Sequence, residues 1–216
     1  MKEVLLVGNP NAGKTTLFNS LTHSSEHVGN WHGVTVENKK KVFSFEGEDF
    51  LLVDTPGVYS LCPLSFEEEV STSTILASAG KKIINICDQN NLQRNLYLTL
   101  CLLERGCDVV LVVNEIDKKT IFKVDYAKLA KALKIPVVGV NAEKKIGLDK
   151  LKSLLKSEKV ESNLPYLKKL TTTSSFLKQN AYLLIKAYEK YRKFFEKLKL
   201  KNIDEIFASV PENSVE

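Results

Sequence analysis

The residues best suited to chemistry form one short segment near the start of the chain, Gly8-Asn9-Pro10-Asn11-Ala12-Gly13-Lys14-Thr15. The segment fits the pattern G-x-x-x-x-G-K-[ST], in which backbone N–H groups of a glycine-rich loop surround a phosphate. In that pattern Lys14 reaches the β- and γ-phosphates and the Thr15 hydroxyl binds Mg²⁺. We therefore expect a nucleoside triphosphate to contact these eight residues and Thr16.

A second set of candidates follows the apolar run Phe50-Leu51-Leu52-Val53. In Asp54-Thr55-Pro56-Gly57, Asp54 would hold a Mg²⁺-bound water and the Gly57 N–H would contact the γ-phosphate. Thr35 would supply a second hydroxyl to Mg²⁺ from a polar, glycine-rich segment. Lys14, Thr35, Gly57 and Asn11 are thus the predicted catalytic residues. Val58 occupies the place where many GTPases carry a water-orienting glutamine, so another group must support hydrolysis.

The base would be selected by a third segment. The apolar run 109–113 ends in Asn114-Glu115-Ile116-Asp117, which resembles the N-x-x-D motif that reads guanine in GTPases. A carboxylate at Asp117 can accept hydrogen bonds from the guanine N1–H and the exocyclic amine, which adenine does not offer together. Glu115 stands where the commoner motif has lysine. The pattern therefore predicts guanine, with Asn114 and Asp117 among the binding residues.

These segments require strands and helices in a fixed order. Apolar runs of strand length at 4–7, 83–86, 109–113 and 136–140 alternate with segments of helical periodicity, and the runs 42–45 and 50–53 flank a tight turn. This alternation predicts an α/β P-loop GTPase fold, a mostly parallel sheet with one antiparallel edge and helices on both faces. We place this GTP-binding domain at 1–157 and a small all-helical domain at 158–216, where no strand signal remains.

Composition narrows the class of protein. The chain has 216 residues, 44% of them hydrophobic, and a net charge of +5 that is concentrated in the lysine-rich C-terminal part. No apolar stretch is long enough to span a membrane, and no signal peptide precedes the first strand, so the chain alone is expected to be soluble. Four cysteines without a C-x-x-C pair are expected to be reduced thiols. His23 and His27 are four residues apart, but no third metal ligand has matching spacing.

Longer motifs point to one family. The chain resembles the N-terminal GTPase part of ferrous iron transport protein B, the bacterial FeoB family. Beside the loop 8–19, the resemblance lies in three segments: Val28-Gly-Asn-Trp-His-Gly-Val-Thr-Val-Glu37, Asp54-Thr-Pro-Gly-Val-Tyr-Ser-Leu-Cys-Pro-Leu-Ser65 and Asn91-Leu-Gln-Arg-Asn-Leu-Tyr-Leu98. The resemblance implies a GTP-hydrolysing regulatory domain joined to a membrane-spanning domain that moves Fe²⁺, at the cytoplasmic face of the bacterial inner membrane. The segment 158–216 would be the helical spacer, and a homo-oligomer is possible.

The resemblance also implies further site residues. Gly33 and Val34 would flank Thr35 at the nucleotide. K⁺ would activate hydrolysis through the Asn11 side chain and backbone carbonyls around Gly29 and Trp31.

The last base-contacting loop usually reads Ser-Ala in GTPases, whereas here it reads Asn141-Ala142. The Ala142 N–H would reach guanine O6. Because the serine is missing, we expect this loop to be poorly supported and GDP to leave quickly.

Two other readings stay open. The basic helical segment 158–216 could bind RNA in a GTPase of RNA modification or ribosome assembly, but it carries no recognisable RNA-binding motif, so we expect no nucleic-acid partner. Alternatively, Val58 would suit a nucleotide-gated adaptor without useful turnover. Salt-dependent RNA binding would support the RNA-binding reading. Measurement of steady-state phosphate release would distinguish an adaptor from an enzyme.

Overall fold

The computed structural model describes residues 1–25, 38–63, 65–115 and 124–158. Six strands run through this part of the chain: β1 Lys2–Gly8, β2 Lys39–Phe45, β3 Glu48–Asp54, β4 Lys82–Asp88, β5 Asp108–Asn114 and β6 Val137–Val140. They alternate with five α-helices: α1 Lys14–Thr22, α2 Phe66–Leu76, α3 Leu92–Glu104, α4 Tyr126–Leu133 and α5 Leu148–Lys156. A short 3₁₀ turn at Gln89–Asn91 precedes α3.

The strands form one sheet in the order β2-β3-β1-β4-β5-β6, in which only the β2–β3 pair at the edge is antiparallel. The predicted α/β fold is therefore confirmed. Parallel register aligns Leu6 with Asp54 and Gly8 with Ile86. Because parallel strands end at the same edge, the ends of β1, β3 and β5 gather the candidate phosphate loop, Asp54 and Asn114, as expected for ligand sites in such sheets.

Alternation along β1 assigns its side chains to two hydrophobic cores. Leu5 and Val7 join the core beneath α2, α3 and α4, whereas Val4 and Leu6 join the core beneath α1 and α5. Both faces of the central strand are therefore fully covered, and the near-continuous apolar run 4–7 follows from this burial. The two packed layers hold the strand ends, and with them the candidate site, in fixed relative positions.

Helix α2 was not predicted. Its start nevertheless carries a local sequence signal: Ser65 is followed three residues later by Glu68, as in a capping box. The Ser65 hydroxyl accepts a hydrogen bond from the Glu68 N–H at 3.2 Å. Three glutamates in the first turn stabilise the helix, because their negative charges interact favourably with the positive end of the helix dipole. The helix is tied to the site because Ser71 donates to the Pro56 carbonyl at 2.8 Å.

Several predictions lie outside the described residues, among them the helical domain at 158–216 apart from Glu158, and the segments 26–37 and 116–123. Within the described ranges, no helix is both long and apolar enough to cross a bilayer. All four cysteines are free thiols, as expected, and two of them, Cys87 and Cys101, are buried.

Candidate functional site

The loop between β1 and α1 has the backbone shape that its glycines permit. Asn11 and Gly13 both adopt positive φ angles, 64° and 91°, and Gly13 caps the N-terminus of α1. A Cβ atom on Gly13 would lie 2.2 Å from Nδ2 of Asn114, and one on Gly8 would lie 2.6 Å from the carbonyl oxygen of Ile86. Both positions therefore need glycine for close approach, and Gly13 needs it also for its left-handed conformation.

Lys14 and Asp54 meet in the interior of this site. The Lys14 Nζ lies 3.3 Å from Oδ1 of Asp54, and the side chains are only 8% and 3% exposed. Burial raises the pKa of the Asp54 carboxyl, while the neighbouring ammonium of Lys14 lowers it. The pair brings together Lys14, from the first turn of α1, which would face phosphate, and Asp54, from the end of β3, which would face Mg²⁺.

The segment after Asp54 is pinned against the phosphate loop. Thr55 donates to the Leu6 carbonyl through its N–H at 3.2 Å and its hydroxyl at 3.1 Å, and Val58 N–H donates to the Gly8 carbonyl at 3.1 Å. A Cβ on Gly57 would lie 3.0 Å from Pro10 atoms. Gly57 is thus placed beside the loop, and its contact with a γ-phosphate stays a prediction. The Val58 side chain is fully buried in the core.

On the other side of the loop, Asn114 joins two candidate segments. It is 4% exposed, its amide donates to the Ala12 carbonyl at 3.2 Å, and its Oδ1 accepts from the Ala142 N–H at 3.2 Å. The end of β5 is therefore tied both to the phosphate loop and to the predicted base loop. The Ala142 N–H has this internal partner, and its contact with guanine O6 stays a prediction.

The expectation of a poorly supported base loop is wrong. Asn141 takes over the support that the missing serine would give: its side chain donates to the Glu115 carbonyl at 2.7 Å and accepts from the Lys144 N–H at 2.8 Å. Ser20 in α1 donates to the Ala142 carbonyl at 2.6 Å. Asparagine holds the loop because its amide can donate and accept at once. Sequence reasoning missed Ser20, since this contact crosses the fold.

Because the Asn141 side chain makes two hydrogen bonds that hold this loop, its removal should weaken nucleotide binding. We expect Asn141→Ala to lower GDP affinity by about fivefold, through loss of two side-chain hydrogen bonds. Fluorescent GDP release in a stopped-flow instrument measures this directly. The exposed Lys145→Ala is the matched control in the same loop and should leave the release rate unchanged. An unaltered rate in Asn141→Ala would remove its side chain from loop support.

Asn9 is unusual among the buried polar residues. It is 2% exposed, and neither Nδ2 nor Oδ1 has a hydrogen-bond partner in the described part of the chain. Asn85, also buried, is by contrast satisfied: its Oδ1 accepts from Thr99 at 2.6 Å and its Nδ2 donates to the Val7 carbonyl at 3.4 Å. A buried amide without partners costs stability, and such groups concentrate at functional sites.

We therefore expect Asn9→Leu to raise the stability of the nucleotide-free protein by about 1 kcal/mol, because an unpaired buried amide is replaced by an apolar side chain of similar shape. Asn85→Leu should do the opposite, since it leaves Thr99 without its acceptor. Thermal unfolding without nucleotide compares the two variants. A lower Tm for Asn9→Leu would show that the Asn9 amide already has partners in the folded protein.

The described part of the site thus contains the phosphate loop with Thr15 and Thr16 in the first turn of α1, and around it Asp54, Gly57, Asn114, Asn141 and Ala142. Other predicted residues lie outside the described residues: Gly29, Trp31, Gly33, Val34, Thr35 and Asp117. Among the described residues, no group of three or more His, Cys, Asp or Glu side chains could hold a metal ion. His23 follows the end of α1, and His27 lies outside the described ranges.

Comparison with known proteins agrees with this geometry. Residues 2–155 match the family profile described as "Ferrous iron transport protein B". The chain is 41% identical over 165 residues to the Fe(2+) transporter FeoB of Escherichia coli strain K12, covering 74% of this chain and 21% of that protein. The corresponding protein of Salmonella typhimurium is 39% identical over 181 residues, covering 80% and 23%. The chain therefore spans less than a quarter of the length of these relatives.

Solved structures give the same result. The FeoB G-domain of Methanococcus jannaschii is 39% identical with a TM-score of 0.63, covering 73% of this chain and 100% of that one. NFeoB of S. thermophilus, bound to GDP·AlF₄⁻ and K⁺, is 32% identical with a TM-score of 0.79, covering 96% and 89%. The site geometry, the family profile and these relatives together lead to one conclusion: the chain belongs to the ferrous iron transport protein B family and is its N-terminal GTPase domain.

Proposed function

We propose that this chain binds GTP at the edge of the sheet formed by the ends of β1, β3 and β5, and hydrolyses it to GDP and phosphate under regulation by K⁺. The observation that carries the proposal is the convergence of Lys14, Asp54 and Asn114 on one loop. Lys14 lies against Asp54 at 3.3 Å, and Asn114 holds the other side of that loop at Ala12. Phosphate, metal and base functions would thus meet around one ligand.

Each residue would have a defined role in that reaction. The loop N–H groups and Lys14 would bind the β- and γ-phosphates and stabilise charge that develops on their oxygens. The N–H of Gly57 would contact the γ-phosphate, which suits its position beside Pro10. Thr35 would add a hydroxyl that matters only when a γ-phosphate is present.

The residues present fit Mg²⁺. Thr15 offers a hydroxyl and Asp54 a carboxylate, and Mg²⁺ prefers such oxygen ligands while keeping several waters. Asp54 would act through one of these waters. When bound, Mg²⁺ supplies positive charge to the phosphate oxygens. The buried Asp54 carboxylate, which lies 3.3 Å from the Lys14 ammonium, would then balance both cations.

A monovalent cation site would complete the catalytic charge. Asn11 is exposed in the phosphate loop with φ 64°, and its side-chain oxygen together with carbonyls around Gly29 and Trp31 would hold K⁺. When bound, K⁺ would supply the positive charge that an arginine finger supplies elsewhere. Support comes from the buried Val58, which offers no water-orienting group, and from the S. thermophilus relative that contains K⁺.

In the longer protein, this domain would regulate a membrane-spanning domain that transports ferrous iron. The proposal rests on the curated relatives, of which the chain covers only about a fifth: 21% of the E. coli transporter. The domain would lie at the cytoplasmic face of the inner membrane, with residues 1–157 as the GTP-binding unit. Residues 158–216 would form a helical spacer that couples the nucleotide state to the membrane part.

Steady-state phosphate release tests the proposed function. We expect Mg²⁺-dependent release from GTP in K⁺, little release from ATP, and none after EDTA is added. Equal turnover of GTP and ATP would contradict guanine selection. Tight GTP binding without phosphate release in either K⁺ or Na⁺ would instead favour a nucleotide-gated adaptor.

A further inference from the structure

Glu115 occupies the position next to Asn114 where lysine is commoner, and the structure holds it at three points. Its N–H donates to the Val140 carbonyl at 2.7 Å. Its carbonyl accepts from the Asn141 side chain at 2.7 Å. Its carboxylate accepts a hydrogen bond from the hydroxyl of Tyr126. Glu115 therefore joins the end of β5 to the base loop and to the start of α4.

Tyr126 is held in place for this contact. It is the first residue of α4, which Asp125 caps by accepting from the Lys128 N–H at 2.9 Å. Its ring lies directly over Gly139 in β6, where a Cβ atom would come within 2.6 Å of the ring carbon Cζ. Glycine at this position is therefore needed so that the ring can lie on the strand. Partial burial and the neighbouring Glu115 both raise the pKa of the Tyr126 hydroxyl, which keeps it a donor.

The backbone of Glu115 connects this side-chain contact to the hydrogen bonds at the predicted base site. The Asn141 side chain, in the base loop, donates to the Glu115 carbonyl. The adjacent Asn114 donates to the Ala12 carbonyl in the phosphate loop at 3.2 Å and accepts from the Ala142 N–H at 3.2 Å. Loss of the Tyr126 hydroxyl would leave the Glu115 carboxylate free to rotate into water. Asn114 ends β5 and Asn141 follows the neighbouring strand β6, so both adjoin Glu115. Their geometry toward a ligand therefore depends on how firmly Glu115 is held.

We propose that Tyr126 is a positioning residue for guanine selectivity, acting through Glu115 on the base side of the nucleotide site. This inference rests on the proposed function, because it assumes that guanine binds beside Asn114 and Asn141. A lysine stem at position 115 would pack on the base directly. Here a tyrosine–carboxylate pair between α4 and β5 takes the place of that contact by fixing the loops that surround the base.

The test compares GDP and ADP affinities of the whole chain by calorimetry. Tyr126→Phe is expected to lower the ratio of GDP to ADP affinity by about fivefold, the effect of one hydrogen bond, with little change in Tm. Glu115→Ala should lower the ratio to the same extent, and the double variant should be no worse than either single one. Glu115→Gln keeps an acceptor oxygen and should largely retain selectivity. Tyr97→Phe in α3 is the matched control.

The outcomes separate the two proposals. If the unmodified chain fails to prefer GDP over ADP, the proposed function is wrong. If it prefers GDP and Tyr126→Phe keeps the same preference, the positioning role is wrong. If Tyr126→Phe lowers Tm and weakens GDP and ADP equally, Tyr126 is only a structural residue and the inference is overturned.

Discussion

Replacing Lys14 with methionine is expected to lower GTP affinity by at least about 100-fold, since a buried cation that faces phosphate is removed. The same change should destabilise the nucleotide-free protein by about 3–5 kcal/mol, because it leaves the Asp54 carboxylate buried without its counter-charge. The two effects have one cause: the Nζ of Lys14 lies 3.3 Å from Asp54 with both side chains less than a tenth exposed. Calorimetry with GTP and chemical unfolding without nucleotide measure them separately.

The stability deficit of this variant should depend on pH. Burial already raises the pKa of Asp54 above its usual value near 3.8, and Lys14 opposes this shift. Without Lys14 the pKa of the folded state rises further, so the folded protein retains a proton that the unfolded chain has lost. Stability of the variant then falls as pH rises from the unfolded pKa to the raised folded pKa. The deficit should therefore be smaller at pH 5 than at pH 7.

A surface ion pair provides the control. Lys81 lies 2.9 Å from Glu3, with the two side chains 38% and 34% exposed. Solvent screens such pairs, so Lys81→Met should cost less than about 1 kcal/mol and leave GTP affinity unchanged. If Lys14→Met were as mild as Lys81→Met in both measurements, the Lys14–Asp54 pair could not be the centre of the site.

Loss of K⁺ stimulation in Asn11→Ala is the second large effect we expect. Charge that develops between the β- and γ-phosphates needs a counter-charge, and the buried Val58 leaves no glutamine at the usual position. In the unmodified chain, K⁺ should raise the hydrolysis rate by about tenfold or more, which is still below the factor of about 10³–10⁵ that an arginine finger gives. Na⁺, a smaller ion, should do so poorly. Removing the Asn11 side-chain oxygen should abolish the difference between the two salts.

Nucleotide binding provides the internal control for this experiment. Asn11 is exposed and lies at a loop position with φ 64°, which asparagine tolerates better than most residues. Asn11→Gly keeps that conformation and removes only the side chain, so GDP affinity should change little while K⁺ stimulation is lost. Equal turnover of the unmodified chain in K⁺ and Na⁺ at matched ionic strength would contradict the mechanism, as would a stimulation that persists in both variants.

Sequence reasoning predicted the fold because the apolar periodicity and the loop motif agree locally. The runs at 4–7 and 109–113 had to be buried strands, and β1 and β5 are found there. Helix α2 was missed because the Ser65 cap is a local signal surrounded by turn-like residues of the segment before it. The cap is a short-range signal, and the sequence does contain it.

The parts of the site that sequence could not predict are contacts between distant segments. Ser20 reaches Ala142 across the fold, and Tyr126 reaches Glu115 only because Gly139 leaves room for its ring. The wrong expectation for Asn141 has the same origin. The missing serine is visible in the sequence, whereas the asparagine amide finds a donor and an acceptor that only the fold brings within reach.

Whether one guanine nucleotide binds at the edge of the sheet can be measured by calorimetry with Mg²⁺ and the non-hydrolysable analogues GMPPNP and AMPPNP. We expect one GMPPNP to bind per chain, with AMPPNP much weaker. Asp117→Asn should lose GMPPNP affinity and gain affinity for the xanthosine analogue, because the pattern of donors and acceptors that faces the base is exchanged. Equal binding of GMPPNP and AMPPNP to the unmodified chain, or unchanged GMPPNP binding in Asp117→Asn, would contradict the account.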